Sequence, residues 1–173
     1  SSAASDVYKR QTIYLPSYTF ITGSGPEHTT FLYTGDGVAF KFVNGNSSAG
    51  EYTTDDMTET NQPKYAILRD FGIYCTSSLA SGLQLNAVTN SKFDNISING
   101  SYPYDAEDYT LETTPSQTGL LLLGGLDESQ QQTIATTSKN IFNKISVSNF
   151  AVCVRAESNI AYNNFTNCDF YHA

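Results

Sequence analysis

A short pattern of apolar and polar positions recurs four times along the chain. Each copy has a large apolar residue, two polar residues, a second large apolar residue and, two places further on, a third. The copies are Leu68–Ile73, Phe93–Ile98, Phe142–Val147 and Tyr162–Asn167, the last without its final apolar residue. Short runs with apolar residues at alternate positions are typical of strands with one buried face. The pattern predicts strands and shows no helical period.

A small residue that opens an apolar strand precedes each copy. These strands are Gly37–Phe42, Gly82–Ala87, Gly119–Gly124 and Ala151–Ala156. In the two shortest units, eleven positions separate the small residue from the next copy of the first pattern. Polar, Gly/Ser/Thr-rich insertions at 43–63 and 125–137 lengthen the other two units and read as loops. The sequence therefore repeats a core unit of roughly 20 to 25 residues.

A unit of this size cannot bury its apolar face alone, but stacked units bury it, with paired strands about 4.8 Å apart. The repeat therefore predicts an all-β, parallel β-helix. The residues predicted to stack in its core are Phe71, Ile96, Ile145 and Phe165. Matching outward or turn positions are predicted for Asn95 and Asn164, with Lys144 and Asp70 in the other copies, and asparagine suits tight coil corners. The regular leucine pattern of a leucine-rich repeat is missing, and a β-sandwich is the structural alternative.

The first eleven residues do not follow these patterns. The stretch Ser1–Gln11 is small, polar and aperiodic, and one reverse translation of it matches a transposase-based sequencing adapter. We therefore interpret 1–11 as a non-native, adapter-derived tail and exclude it from fold reasoning. Residues 12–173 are predicted to be a partial β-helix domain, a fragment truncated at both ends and recovered from mixed, metagenomic DNA.

Charge and cysteine content narrow the classes of function. A chain of formal net charge −8 is a poor partner for a phosphate backbone, so no nucleic acid is expected. No apolar run reaches about 18 residues, so no membrane span is predicted in this piece. Cys75, Cys153 and Cys168 lack CxxC spacing, which favours free buried thiols over zinc ligands or a disulfide. His28 and His172 are isolated and are not predicted to be catalytic.

Two stretches resemble the pectate-lyase superfamily of β-helices. Thr12–Ser24 resembles the family's opening, a strand followed by Leu-Pro-x-Gly-x-Tyr, although Tyr18 stands at the glycine position. Phe31–Phe42 resembles the next coil, in the style of phage tailspikes and polysaccharide depolymerases. The resemblance implies a single-stranded, right-handed parallel β-helix that binds or cleaves polysaccharide. For tailspikes it also implies a homotrimer, and it places the protein in a virion tail or outside the cell.

The catalytic motifs of the family's polygalacturonase branch are missing, so candidates come from the predicted coil wall: Asp70, Asp94, Arg155 and Glu157. Glycoside hydrolysis needs two carboxylates about 5 to 9.5 Å apart, and Asp70 and Asp94 occupy neighbouring offsets in adjacent copies. Lyase chemistry needs a base such as arginine, and Arg155 and Glu157 alternate to one face of a strand. If the chain is an enzyme, it is expected to be a glycoside hydrolase or a polysaccharide lyase; exposed wall charges are the alternative.

The loop from Ser101 to Gln117 interleaves aromatic and acidic residues. Aromatic faces stack on sugar rings, and carboxylates accept hydrogen bonds from hydroxyl groups or bind calcium. The candidate substrate-binding residues are Tyr102, Tyr104, Asp105, Glu107, Asp108 and Tyr109. No cofactor or metal is predicted, with calcium as the alternative that these carboxylates leave open, and an ordinary solvated insertion is the other interpretation.

The leading hypothesis is the polysaccharide-binding body of a phage tailspike-type protein, with cleavage of the polysaccharide left open as a second activity. Unpaired cysteines fit assembly in a reducing cytoplasm. A secreted bacterial pectinolytic hydrolase or lyase is the second hypothesis. A non-enzymatic adhesin or structural β-helix, in which stacked coils form a stiff arm, is the third.

Overall fold

The computed structural model describes residues 5–44, 58–103, 117–127 and 132–172, and they are built from β-strands joined by turns. In chain order the strands are β1 Ser5–Lys9, β2 Ile13–Leu15, β3 Phe20–Thr22, β4 Thr29–Tyr33, β5 Val38–Phe42, β6 Ile67–Cys75, β7 Ser81–Asn86, β8 Lys92–Asn99, β9 Thr118–Leu123, β10 Gly125–Asp127, β11 Gln132–Ala135, β12 Thr137–Ser138, β13 Ile141–Ser148, β14 Val152–Glu157, β15 Ile160–Ala161, β16 Asn164–Thr166 and β17 Asp169–Tyr171.

Two parallel sheets contain most of these strands. Sheet A has the order β1-β4-β6-β8-β13-β16, with β3 beside β6 and β17 beside β13, and sheet B has the order β14-β9-β7-β5-β2. From β5 onward the chain alternates between them: β5 in sheet B, β6 in A, β7 in B, β8 in A, β9 in B, β13 in A and β14 in B. Each turn of the chain therefore stacks on the previous one. The predicted all-β parallel fold is confirmed, and the coiled path is compatible with a parallel β-helix.

A narrow third face completes the coils. Strands β12 and β15 pair in parallel, and isolated parallel bridges join Lys64 to Thr89 and Thr89 to Ser138. One prediction is wrong in detail, because the insertion at 125–137 is not all loop. It contains an antiparallel hairpin of β10 and β11, followed by β12.

A residue with positive φ at the third position explains the spacing of the repeated pattern. In β8 the buried Phe93 and Ile96 are three positions apart, which regular alternation would place on opposite faces. Asn95 between them has φ 53° and turns the strand, so both side chains enter the core. Asp70 (φ 60°) and Lys144 (φ 54°) do the same in the neighbouring copies. These corner positions were predicted correctly.

The fourth copy is shifted by three residues from the predicted alignment. Phe165 pairs with Phe142, not with Ile145, and the corner residue is Asn167 (φ 53°), not Asn164. The predicted core stack of Phe71, Ile96, Ile145 and Phe165 is therefore wrong at its last member. Tyr162 misled the alignment because it is large and aromatic, but its side chain is 85% exposed.

The core between the sheets contains a row of aromatic rings. Phe93 and Phe142 are fully buried, and their centroids are 4.9 Å apart with planes at 9°. Phe165 continues the stack on Phe142, at 4.4 Å and 5°. Burying one such side chain stabilises the fold by about 1.5 to 3 kcal/mol. The register of the coils is therefore fixed by matched rings, since a slip would separate them.

Strand β1 lies beside β4 in parallel, with Ser5 opposite Thr29 and Lys9 opposite Tyr33. This strand belongs to the segment that the sequence identifies as adapter-derived, and that origin stays a prediction. Within the part of the chain that the structure describes, no helix is long and apolar enough to cross a membrane.

All three cysteines are free. Cys75 is fully buried, and desolvation raises the pKa of its thiol from 9.0 to about 12. Cys153 and Cys168 are only half-buried, so the prediction of buried thiols is correct for Cys75 alone. Burial also raises the pKa of Cys153, while backbone hydrogen bonds at Phe150 and Tyr171 act in the opposite direction.

Candidate functional site

The outer face of sheet A carries polar side chains in rows that run from coil to coil. Asn95 Nδ2 donates to Asp70 Oδ1 at 2.9 Å, and Asn143 Nδ2 donates to Asp94 Oδ1 at 2.8 Å. Arg69, which lies opposite Asp94 in the register, contacts Asp70 Oδ2 at 3.9 Å. The two predicted catalytic carboxylates therefore lie on adjacent coils, and each accepts a hydrogen bond from an amide of the next coil.

The other predicted catalytic pair lies elsewhere. Arg155 and Glu157 are on β14 of sheet B, where the guanidinium Nε and the carboxylate Oε1 form an ion pair. Their side chains are 23% and 33% exposed. The structure thus places the four predicted catalytic residues in two separate pairs on two sheets, and a catalytic role for either pair stays a prediction.

Of the predicted substrate-binding residues, Tyr102 is described. It is half-buried, and its backbone N–H donates to the Asn149 carbonyl of the next coil at 3.0 Å. The remaining members of the group lie outside the described residues: Tyr104, Asp105, Glu107, Asp108 and Tyr109. In the described ranges no group of three or more His, Cys, Asp or Glu comes together to hold a metal ion.

A loop between β3 and β4 covers part of the outer face of sheet A. Gly23 N–H donates to the Arg69 carbonyl at 3.0 Å, and Gly25 N–H donates to the Asp70 carbonyl at 2.8 Å. Gly25 has φ 118°, which few residues other than glycine adopt. Beneath the loop, a Cβ on Gly72 would lie 3.2 Å from the Pro26 carbonyl oxygen. The close approach therefore uses three glycines, Gly23 and Gly25 in the loop and Gly72 in β6, because a Cβ on Gly23 would collide with the Asp70 carbonyl.

This loop and three outward side chains of β8 border a polar cavity of about 580 Å³ that is open to the surface. Its lining consists of Gly25, Pro26, Glu27, His28, Asn95, Ser97 and Asn99. Asn99 Nδ2 donates to Ser97 Oγ at 3.1 Å, and Ser148 Oγ donates to Asn99 Oδ1. The side chains of Ser97 and Asn99 are therefore held in place by each other and by the next coil. Asn95 is held separately, by its hydrogen bond to Asp70.

The cavity offers groups that match sugar hydroxyls. Amides supply donors and acceptors together, Ser97 supplies a hydroxyl, Glu27 supplies a carboxylate acceptor and His28 supplies an imidazole ring. Sequence reasoning missed this site, because His28 is isolated along the chain and shares a cavity with Asn95 only where the loop approaches Gly72. The signal that was present is the uninterrupted polar character of positions 95, 97 and 99.

Comparison with known proteins gives no match: no family model matches the sequence, and neither a curated protein nor a solved structure matches the chain. The resemblance to the pectate-lyase superfamily therefore depends on the quoted stretches and on the parallel β fold. Membership of that superfamily stays a prediction.

Proposed function

We propose that the chain is the polysaccharide-binding body of a right-handed parallel β-helix of the phage tailspike type, and that the polar cavity on the outer face of sheet A binds the glycan. The cavity under the Gly25–His28 loop supports this proposal. Its amide and hydroxyl groups belong to Asn95, Ser97 and Asn99 of β8, and its carboxylate belongs to Glu27 of the loop. A sugar chain bound between the loop and β8 therefore meets amide, hydroxyl and carboxylate groups together. Homotrimer formation and cleavage of the glycan are separate predictions of the resemblance.

A matched pair of serines tests the binding face. Ser97 and Ser146 lie opposite each other in the register, both half-buried and outward, but only Ser97 lines the cavity. We expect Ser97→Val to weaken binding about tenfold, because a lost hydrogen bond to a bound sugar leaves a polar group unpaired at a cost of about 1 to 3 kcal/mol. Ser146→Val should bind as the wild type does. Valine suits a strand, so both variants are expected to fold.

The measurement is binding of the full chain to immobilised bacterial capsular polysaccharides, with pectate and a neutral glucan in the same panel. Equal affinities of Ser97→Val and Ser146→Val would place the site elsewhere, and no binding to any member of the panel would reject the proposal. Released reducing ends or unsaturated uronates would add an enzymatic activity. Turnover of pectate alone would favour the pectinolytic enzyme over the tailspike, while binding without turnover is the result expected of a binding body.

A further inference from the structure

One corner of the fold is made by non-glycine residues with positive φ in five consecutive coils. They lead from the third face into sheet A, and we call them the corner row: Tyr18 (φ 62°), Tyr65 (57°), Asn90 (50°), Lys139 (57°) and Tyr162 (55°). The coils are joined at this row by backbone hydrogen bonds. Tyr18 N–H donates to the Lys64 carbonyl at 2.9 Å, and Asn90 N–H donates to the Ser138 carbonyl at 3.2 Å. The row is therefore a continuous line along the coil axis.

Tyrosine is energetically unfavourable in this backbone conformation. A positive φ suits glycine and asparagine, and asparagine does occupy one place in the row, whereas a bulky side chain there is a backbone outlier. Burial does not account for the tyrosines, since Tyr18, Tyr65 and Tyr162 are 69%, 52% and 85% exposed. Non-glycine residues held in such conformations cluster at ligand-binding sites. A role for the exposed rings in binding explains why the row contains them.

The rings of Tyr18 and Tyr65 form one surface. Their centroids are 5.5 Å apart and their planes are inclined by 34°. Flat aromatic faces that remain open to solvent can stack against the apolar face of a pyranose ring. Since the two tyrosines come from neighbouring coils, the surface extends in the same direction as the stack.

A groove of about 330 Å³ continues from Tyr65 along the row. Its lining includes Asn90 and Lys139 from the row and Glu59, Gln62 and Lys64 from the segment before β6. That segment is fixed in place, because Gln62 is 7% exposed and its Nε2 donates to the carbonyls of Ala87 at 2.9 Å and Thr136 at 3.2 Å. The side of the groove that this segment forms is therefore held in a defined position by the fold.

The charge of the groove is opposite to that of the chain. Two lysines, Lys64 and Lys139, face one carboxylate, Glu59, among the lining residues, whereas the whole chain has a formal net charge of −8. A local excess of positive charge favours an anionic group on the ligand.

We propose that the corner row and its groove bind an acidic glycan, with a sugar ring stacked on Tyr18 and Tyr65 and a carboxylate near Lys64 and Lys139. The inference rests on the proposed function for the class of ligand, but it uses a different surface from the cavity in sheet A. The site is a second one on the same coils, selective for uronate-containing polymers.

Tyr65→Asn separates binding from structure. Asparagine tolerates the positive φ, so we expect the melting temperature to stay the same or rise, while the affinity for an acidic polysaccharide falls about tenfold. Lys144→Asn is the matched control, because Lys144 has φ 54° and lies at a corner that does not line the groove. It should relieve the same backbone cost and leave binding unchanged.

The probes are hyaluronate and polygalacturonate, each beside its carboxyl-reduced, neutral form, and the readouts are the dissociation constant and the melting temperature. Lys139→Gln should weaken binding of the acidic polymers and leave binding of the reduced ones unchanged. Equal affinity of the wild type for acidic and reduced polymers would overturn the inference. A Tyr65→Asn variant with a lower melting temperature and intact binding would also overturn it, since the ring would then be structural.

The two sites fail separately. If Ser97→Val weakens binding and Tyr65→Asn does not, the cavity in sheet A is supported as the binding site and the corner row is rejected. If Tyr65→Asn weakens binding and Ser97→Val does not, the corner row is the site and the cavity is not. If none of these polymers and none of the capsular polysaccharides binds to the wild type, both are rejected.

Discussion

The stacking of Phe165 on Phe142 gives a direct test of the coil register. We consider a double-mutant cycle with Phe142→Leu and Phe165→Leu. Truncating a buried ring to alanine costs about 3 to 5 kcal/mol, a large part of a typical stability of about 5 to 15 kcal/mol, so leucine is the better replacement. Phe142 is fully buried and Phe165 is 41% exposed, so the first substitution should cost more than the second.

The register is tested by the coupling energy between the two substitutions. The rings are 4.4 Å apart and nearly parallel at 5°, and such pairs contribute about 0.5 to 1.5 kcal/mol beyond the area that they bury. We therefore expect about 1 kcal/mol of coupling between positions 142 and 165. A second cycle, with Ile145→Val and Phe165→Leu, should show coupling of no more than about 0.3 to 0.5 kcal/mol, the usual error of additivity.

Urea unfolding followed by circular dichroism measures these free energies, because the chain has no tryptophan to serve as a fluorescent probe. All single variants should unfold with the slope of the wild type, which shows that the same surface is exposed. Strong coupling between Ile145 and Phe165, together with additive effects of Phe142 and Phe165, would refute the register and restore the alignment that places Tyr162 at the start of the fourth copy.

Three further predictions concern the interior. A Cβ on Gly119 would collide with Val147 Cγ1 and lie 2.8 Å from a Phe150 ring carbon, so Gly119→Ala should destabilise the fold by about 1 to 3 kcal/mol in urea unfolding. Gly37→Ala should cost much less, because its Cβ would lie 3.3 Å from the Tyr33 hydroxyl and 4.0 Å from Thr12 Oγ1, and equal costs would contradict the packing. Native protein should take up a maleimide at Cys153 and Cys168 but not at Cys75, since burial raises the pKa of the Cys75 thiol to about 12. Because that thiol ionises near 9.0 once unfolded, the wild type should lose stability relative to Cys75→Ala as the pH rises from 9 towards 12, by roughly 1 kcal/mol per pH unit. Labelling of all three cysteines in the intact mass of the native protein would contradict the first of these two cysteine predictions. A stability difference between the two proteins that does not change with pH would contradict the second.

The spacing of apolar residues predicted the parallel coils because it reflects a backbone constraint. The three-residue step from Phe93 to Ile96 exists because Asn95 turns the strand with a positive φ. The same constraint made the fourth copy hard to align, since Tyr162 and Asn167 both have positive φ and lie on either side of Phe165. Two types of corner alternate along the coil, and the hydrophobic pattern alone does not separate them.

The candidate cavity depended on contacts that the repeat does not encode. The loop bearing His28 reaches β8 because Gly25 adopts φ 118° and Gly72 leaves room for the Pro26 carbonyl. Both glycines are visible in the sequence, but the distance between them in space follows from the stacking of coils. Polar outward positions could therefore be predicted from the repeat, whereas the loop that converts them into a cavity could not.

The predicted catalytic residues differ in how far the fold alone explains their presence. Asp70 occupies a corner that favours Asp or Asn, and its carboxylate accepts a hydrogen bond from Asn95, so the fold alone accounts for it. Arg155 and Glu157 neutralise each other in an ion pair, as surface charges do. Asp94 is different, because no corner requires an acid at its place in β8, where the outward neighbours in the register are Arg69 and Asn143. The neighbouring arginine and amide therefore orient the Asp94 carboxylate, but the backbone conformation at this position does not require an acidic residue. Among the four predicted residues, Asp94 is therefore the one whose presence the fold explains least.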